Sequence, residues 1–272
     1  MQSEYTRQQS LESEIILAFE KRQFYLVFQP IMHLRNKEIV GCEALIRWRH
    51  PIYGEFFPEN YVHVIASMGL ADKLNLYVVS ECLRVFKGLR QLKKPLVVSI
   101  NISPHTHNLE KNIKHIVELF GKDHFPDQLK FNLEITETSF MEKQVDASKH
   151  SIIHYMLSKY GIGLALDDFG VEYSSITRLL DSQFAVIKID MSFVQKLGAR
   201  NGKAAQTTIE AIMHLATGLG IKVIAEGIQT KEQVEVLSNL GCYLGQGFYY
   251  YKPQKSDQFM KLINHDVVDI YT

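Results

Sequence analysis

Short apolar runs rich in β-branched residues alternate, along almost the whole chain, with longer stretches in which apolar residues recur every three or four positions. The longer period reports helices with one buried face, and the short continuous runs report strands buried on both faces. Their alternation predicts a parallel sheet with helical crossovers. Eight strands are predicted: Phe24 to Gln29, Ile39 to Arg47, Leu96 to Asn101, Leu129 to Ile135, Gly163 to Asp168, Ala185 to Asp190, Ile221 to Glu226 and Cys242 to Gly247. The strongest helical periods cover Leu74 to Leu89, Glu110 to Phe120, Ala147 to Lys159, Ala204 to Leu219 and Lys231 to Leu240. Pro126, Gly161, Gly220 and Gly241 stand at the returns from helix to strand, where helices need a stop.

One connection breaks the alternation. Pro30 to Glu38, with a polar Arg35-Asn36-Lys37 tip, is shorter than the dozen or so residues of a crossover. A hairpin is predicted there, which sets the first strand antiparallel to its neighbour. A length of 272 residues suits one (β/α)8 barrel of typically ~250 residues. The expected fold is therefore α/β, a TIM-like (β/α)8 barrel with the first strand antiparallel to the rest. Leu11 to Lys21 reads as an amphipathic lead-in helix. Residues 1–10 are expected to be a flexible N-terminal segment ahead of a single domain over 11–272.

Charge narrows the class. Thirty Lys and Arg balance thirty Asp and Glu, and 46% of residues are apolar. That balance excludes a disordered or coiled-coil chain and argues against a long nucleic acid as partner. No run reaches the ~18 apolar residues of a membrane span, and the polar start lacks the apolar core of a signal peptide. Cys42, Cys82 and Cys242 are odd in number and sit among apolar residues, so buried thiols in a reducing, cytoplasmic setting are expected.

Polar side chains stand near the end of strand after strand: Gln29, Asn101, Glu134, Asp167 with Asp168, Lys188 with Asp190, Glu226 and Gln246, with Glu43 inside the second strand. In a closed barrel the parallel strands end on one face, where barrel enzymes keep their active sites. Any one of these residues alone reads as a solvated loop residue or a helix cap. Together they ring one pocket. Five carboxylates (Glu43, Glu134, Asp167, Asp168, Glu226) in a partly dry pocket repel one another and are driven to protonate unless cations hold them ionised. Carboxylate and amide oxygens, without cysteine or a well-placed histidine, suit Mg2+ or Mn2+ rather than zinc. Adjacent Asp167 and Asp168 allow one carboxylate to bridge two ions ~3.5–4 Å apart, a spacing that serves phosphodiester hydrolysis. Two divalent cations are expected, with Ca2+ bound but inhibitory.

The motifs that hold these residues are Phe28-Gln29-Pro30-Ile31, Glu43-Ala44-Leu45 followed by Ile46-Arg47-Trp48, Asn101-Ile102-Ser103, Glu134-Ile135-Thr136-Glu137, Asp167-Asp168-Phe169-Gly170, Lys188-Ile189-Asp190, Ala225-Glu226-Gly227 and Gln246-Gly247-Phe248. In this order, over Glu12 to Lys261, they resemble the EAL-domain phosphodiesterases of bacterial cyclic di-guanylate signalling. The resemblance implies hydrolysis of cyclic di-GMP to linear pGpG. It implies one cation held by Glu43, Asn101, Glu134 and Asp167, and a second by Asp167, Asp168 and Glu226, partly through water. Lys188 is implied to orient the attacking water or neutralise developing charge; its competing reading is a structural counter-ion. Arg47 offers a fork for phosphate oxygens or, equally, a structural carboxylate pair. Gln29, Asn101, Asp190 and Gln246 are implied substrate contacts, and Glu137 resembles the glutamate that anchors the loop after Asp168. The family further implies a homodimer and a sensor or membrane region preceding the domain.

Some positions depart from the family. Val171 and Glu172 stand where a small residue and glycine are usual, Gln229 replaces a glutamate, and Ala66 replaces another. A domain that binds cyclic di-GMP or a protein without cleaving is thus the alternative, although all ligand positions and Lys188 are kept. An aldolase with Lys188 as Schiff base conflicts with five carboxylates that would keep the amine protonated. His105 and His107 read as surface residues, Cys42 points to the face opposite Glu43, and Tyr249 to Tyr251 read as packing. No glycine-rich or Walker-type phosphate loop is present.

Overall fold

In the computed structural model, which describes residues 2–89, 91–103, 105, 109–122, 125–136, 157–171, 179, 184–198 and 202–265, the described residues form ten strands, eight of which close into a barrel. The strands are β1 (Phe24–His33), β2 (Ile39–His50), β3 (Gly54–Phe56), β4 (Leu96–Asn101), β5 (Leu129–Thr136), β6 (Ile162–Phe169), β7 (Val186–Ile189), β8 (Lys222–Ala225), β9 (Leu244–Gly245) and β10 (Gln254–Lys255). Around the barrel the order is β1, β2, β4, β5, β6, β7, β8, β9 and back to β1. All steps from β2 to β9 are parallel. Strand β1 is antiparallel to both its neighbours, as the short connection predicts. All eight predicted strands are present, and Leu96–Asn101 has the predicted limits. The short strands β3 and β10, which lengthen the sheet beside β2 and β1, are too brief to have left a period in the sequence.

The hairpin closes through its polar tip. His33 N donates to Glu38 O at 2.8 Å and Lys37, at φ 58°, donates to His33 O. The Asn36 side chain spans the turn, accepting from Glu38 N and donating to the Glu38 carboxylate. Asn and its neighbours here supply the local bonds that tight turns need.

Helices cover the barrel: α1 (Gln2–Glu20), α2 (Val62–Ser67), α3 (Ala71–Phe86), α4 (Leu109–Phe120), α5 (Met191–Val194), α6 (Lys203–Leu219), α7 (Lys231–Asn239) and α8 (Ser256–His265). Helix α1 begins well before Leu11. The helix predicted over Ala147 to Lys159 falls largely outside the described residues. Gly220, at φ 69°, ends α6 in the left-handed conformation. No helix of the described residues is long and apolar enough to cross a membrane.

Period-2 alternation sorts each strand between two cores. Outward residues such as Cys42, Val98, Leu133 and Ile187 join the main core with Cys82, Phe86, Ile116 and Ile209 of the helices. Inward residues Ile31, Ala165, Val186 and Ile224 form a separate apolar cluster inside the barrel. Each lies two residues from a polar one: Gln29, Asp167, Lys188 and Glu226. The barrel interior is therefore an apolar floor with a polar layer directly above it. All three cysteines are buried free thiols.

Candidate active site

Lys188 is the centre of the polar layer. Its side chain is 1% exposed, and Nζ lies 2.7 Å from Glu134 Oε2, 2.7 Å from Glu226 Oε1, 3.1 Å from Asp167 Oδ1 and 3.4 Å from Glu43 Oε2. Burial works to lower the Lys188 pKa, but the surrounding carboxylates outweigh it and hold the ammonium well above its ordinary range. A Schiff-base role, which needs the neutral amine, does not fit.

Amide side chains complete the layer. Asn101 Nδ2 donates to Glu43 Oε1 at 2.6 Å, and Gln246 Nε2 donates to Glu43 Oε2 at 2.5 Å and Glu226 Oε1 at 2.9 Å. Glu43 is buried, yet Lys188 and these two amides override its desolvation and hold its pKa below the usual carboxylate value. Glu134 is pushed the other way, up to about 8, chiefly by burial and also by repulsion from Glu43 and Asp167. Burial likewise drives Glu226 well up. Gln246 reaches the layer because the next residue lacks a side chain: a Cβ on Gly247 would lie 2.1 Å from Ile228 O.

A regular strand would send Asp167 and Asp168 to opposite faces. The β6–β7 register shifts between Leu166 and Phe169, and Asp168 takes φ 56°. This irregularity, of the kind a β-bulge makes, lets both carboxylates approach Glu226. Two sets of ligand atoms result, each within 4.8 Å: Glu43, Glu134 and Asp167, and Asp167, Asp168 and Glu226. Asp168 is exposed, and its pKa is pushed up to about 6 by partial burial and by Asp167 and Asp190.

Five carboxyl groups face one ammonium here, and burial drives Glu134 and Glu226 towards the protonated form unless further cations hold them ionised. Glu134 Oε1 and Gln246 Oε1 are buried without a partner. An orphaned buried carboxylate oxygen is costly unless a cation or water meets it. The residues therefore fit divalent cations: the donors are hard oxygens, and Asp167 belongs to both sets.

A cavity of about 840 Å3 opens over this layer, within the size range of ligand pockets. Gln29, Glu43, Arg47, Asn101, Asp167, Asp168, Glu226, Gln229 and Gln246 all line it. Arg47 lies with its guanidinium 5.0 Å from the Phe57 ring centre and donates to Ile46 O, and no carboxylate among the described residues forms an ion pair with it. Gln29 Nε2 donates to Tyr251 O. Asp190 does not line the cavity; its carboxylate accepts from Ser192 N and caps α5. Ala66 sits on α2, and Gln229 N donates to Gln233 Oε1 at 2.7 Å. His105 is exposed. Glu137, Glu172 and His107 lie outside the described residues.

The cavity wall also holds residues that strand patterns do not reveal: Glu59, His63 and Asn75 from the segment between β3 and β4, and Phe248 after Gln246. Their helical or loop periods point to surface and packing, and only the folded chain brings them to the barrel mouth.

Comparison with known proteins matches this architecture. The EAL domain family model covers residues 12–253. The cyclic di-GMP phosphodiesterase RocR of Pseudomonas aeruginosa is 31% identical over 248 residues, which is 91% of this chain and 62% of RocR. This chain thus corresponds to part of that longer relative. The EAL enzyme Bd1971 in its cGMP-bound form superposes with a TM-score of 0.85 at 30% identity, over 96% of this chain and 71% of that one. The MucR phosphodiesterase in complex with c-di-GMP gives a TM-score of 0.81 at 29% identity, over 92% of this chain and 99% of that one. With the family model matching residues 12–253 and the barrel superposing on a solved EAL enzyme, the chain belongs to the EAL domain family.

Proposed function

We propose that this domain hydrolyses one phosphodiester of cyclic di-GMP to give linear pGpG, with two divalent cations, Mg2+ or Mn2+, as cofactors. The observation that carries the reading is the pair of carboxylate sets sharing Asp167 at the floor of an 840 Å3 cavity. Relatives named for this activity, RocR among them, support the choice of substrate.

Glu43, Asn101, Glu134 and Asp167 would hold one cation, and Asp167, Asp168 and Glu226 the other. Divalent cations supply Lewis-acid polarisation of the phosphate and a more acidic water. Arg47 presents its planar fork to the non-bridging phosphate oxygens. Lys188 favours the ionised form of the surrounding carboxylates, holds them in register, and would orient water or offset charge that develops on the phosphate. Gln246 fixes Glu43 and Glu226 relative to each other, and Gln29 and Asn101 bound the reacting end of the cavity. Asp190, outside the cavity lining, contributes by capping α5 beside Asp168. The resemblance implies that Glu137 anchors the loop after Asp168.

The domain is further proposed to act in the cytoplasm as a homodimer, joined in a longer protein to a sensor or membrane region. The deciding experiment incubates the protein with cyclic di-GMP and Mg2+, with and without EDTA, and follows pGpG. Metal-dependent pGpG formation is expected. Retention of cyclic di-GMP without cleavage would replace this reading with a receptor.

A further inference from the structure

We infer that Asn75 is a positioning residue for the Asn101 end of the site, acting through a side-chain clamp on the peptide of Ser103. The inference rests on the reading of Asn101 as a cation ligand.

Strand β4 ends at Asn101, where the parallel ladder to β5 also ends. Beyond it Ile102 N still reaches Glu134 O at 2.9 Å. The ladder to β2 ends at Ile100, and beyond it Asn75 of α3 takes the place of a paired strand. Its Oδ1 accepts from Ser103 N at 2.8 Å and its Nδ2 donates to Ser103 O at 3.3 Å. One amide thus pairs with both polar groups of a single residue, as a neighbouring strand would.

Asn75 is itself held. Its Nδ2 also donates to Asn112 Oδ1 at 3.1 Å, and Asn112 Nδ2 donates to Asp72 O at 3.4 Å. Asn75 is 1% and Asn112 2% exposed. Buried amides with satisfied bonds have one orientation, since rotation strands donors and acceptors away from water. The network therefore ties α3 and α4 to the strand end two residues after Asn101, whose own amide is hydrogen-bonded to Glu43. Supporting bonds of this kind set ligand orientation, and their loss typically lowers metal affinity ~10–100-fold.

The test compares wild type, Asn75→Ala and Asn112→Ala by Mn2+ titration, thermal denaturation with and without Mn2+, and kcat and KM for cyclic di-GMP. Expected is a weakening of Mn2+ binding by ~10-fold or more in Asn75→Ala and a smaller weakening in Asn112→Ala. The fall in activity should sit in kcat and be partly recovered at high Mn2+, with KM little changed. A purely structural role would lower the melting temperature equally with and without Mn2+ and leave Mn2+ affinity unmoved, and that result overturns the inference. Should Asn75→Ala not fold, unchanged Mn2+ affinity in Asn112→Ala overturns it. Wild-type protein that binds no Mn2+ would overturn the cation reading of the site, and this inference with it.

Discussion

Asp167 and Asp168 are consecutive on β6, yet both carboxylates come within 4.8 Å of Glu226. The register shift after Leu166 and the positive φ of Asp168 make this possible. Left-handed backbone costs an L-residue energy and persists where surrounding structure or function requires it. Asp168→Asn keeps a residue that tolerates this conformation and removes one like charge. Metal-free protein carrying the change should melt at a higher temperature than wild type, while Mg2+-supported turnover falls ~100-fold or more. A variant that is both less stable without metal and fully active would contradict the role given to Asp168.

Glu43 accepts from both Asn101 and Gln246 and faces Lys188. Glu43→Gln preserves volume but turns an acceptor into a donor opposite two amides and an ammonium. Turnover is expected to fall by more than ~100-fold at saturating Mg2+, with the fold retained by circular dichroism. Substantial residual pGpG formation would show that Glu43 is not a direct ligand.

Without metal, the carboxylate layer should make stability depend on pH. The folded-state values of Glu134 and Asp168 are raised to about 8 and about 6, from ordinary values of 4.5 and 3.8. A carboxyl with a raised folded pKa binds its proton more tightly when folded. Its contribution is full below the unfolded pKa and is lost as pH rises through the folded one. Glu43 has the opposite sign, and its contribution is lost only on acidification below its ordinary 4.5. In EDTA the melting temperature should therefore decline from about pH 5 to about pH 8, and Mg2+ should flatten the profile by replacing protons as the compensating charge. A melting temperature that rises with pH across this window in EDTA would refute the electrostatic account.

The sequence exposed the barrel because each buried strand is a short apolar run, and it exposed the site because charged residues interrupt those runs at matching places. Glu134 and Lys188 are conspicuous for this reason: both are 1% exposed in surroundings that are otherwise apolar. The antiparallel first strand was legible from the length of Pro30 to Glu38 alone. What could not be read was geometry that depends on non-local pairing. Nothing in the run Asp167-Asp168 announces a bulge, and Asn75 and Asn112 look like ordinary polar positions on amphipathic helices until α3 and α4 pack together. Strands β3 and β10 are similarly set by pairing with β2 and β1 rather than by any period of their own.

The oxygen-only donor sets lead to a prediction about ion size. Ca2+ is accepted by carboxylate and amide oxygens, but it takes roughly 6–8 ligands at about 2.3–2.6 Å, against about 2.1 Å for octahedral Mg2+. Asn101 and Gln246 both donate to Glu43, at 2.6 and 2.5 Å, and Lys188 stands within 3.4 Å of four carboxylates, so the layer has little slack. Accommodating the larger ion must spread Asp167 from its partners. The water and the phosphate would then be misaligned, and a displacement of ~1 Å costs on the order of 100-fold in rate. Mg2+ and Mn2+ should therefore support hydrolysis, whereas Ca2+ should compete for the site, retain cyclic di-GMP and suppress pGpG formation. Titrating Ca2+ into a Mg2+-supported reaction, with binding and product followed in parallel, separates these effects. Full turnover with Ca2+ alone, or cleavage in EDTA, would rule out a mechanism that depends on closely spaced Mg2+ or Mn2+ at Asp167.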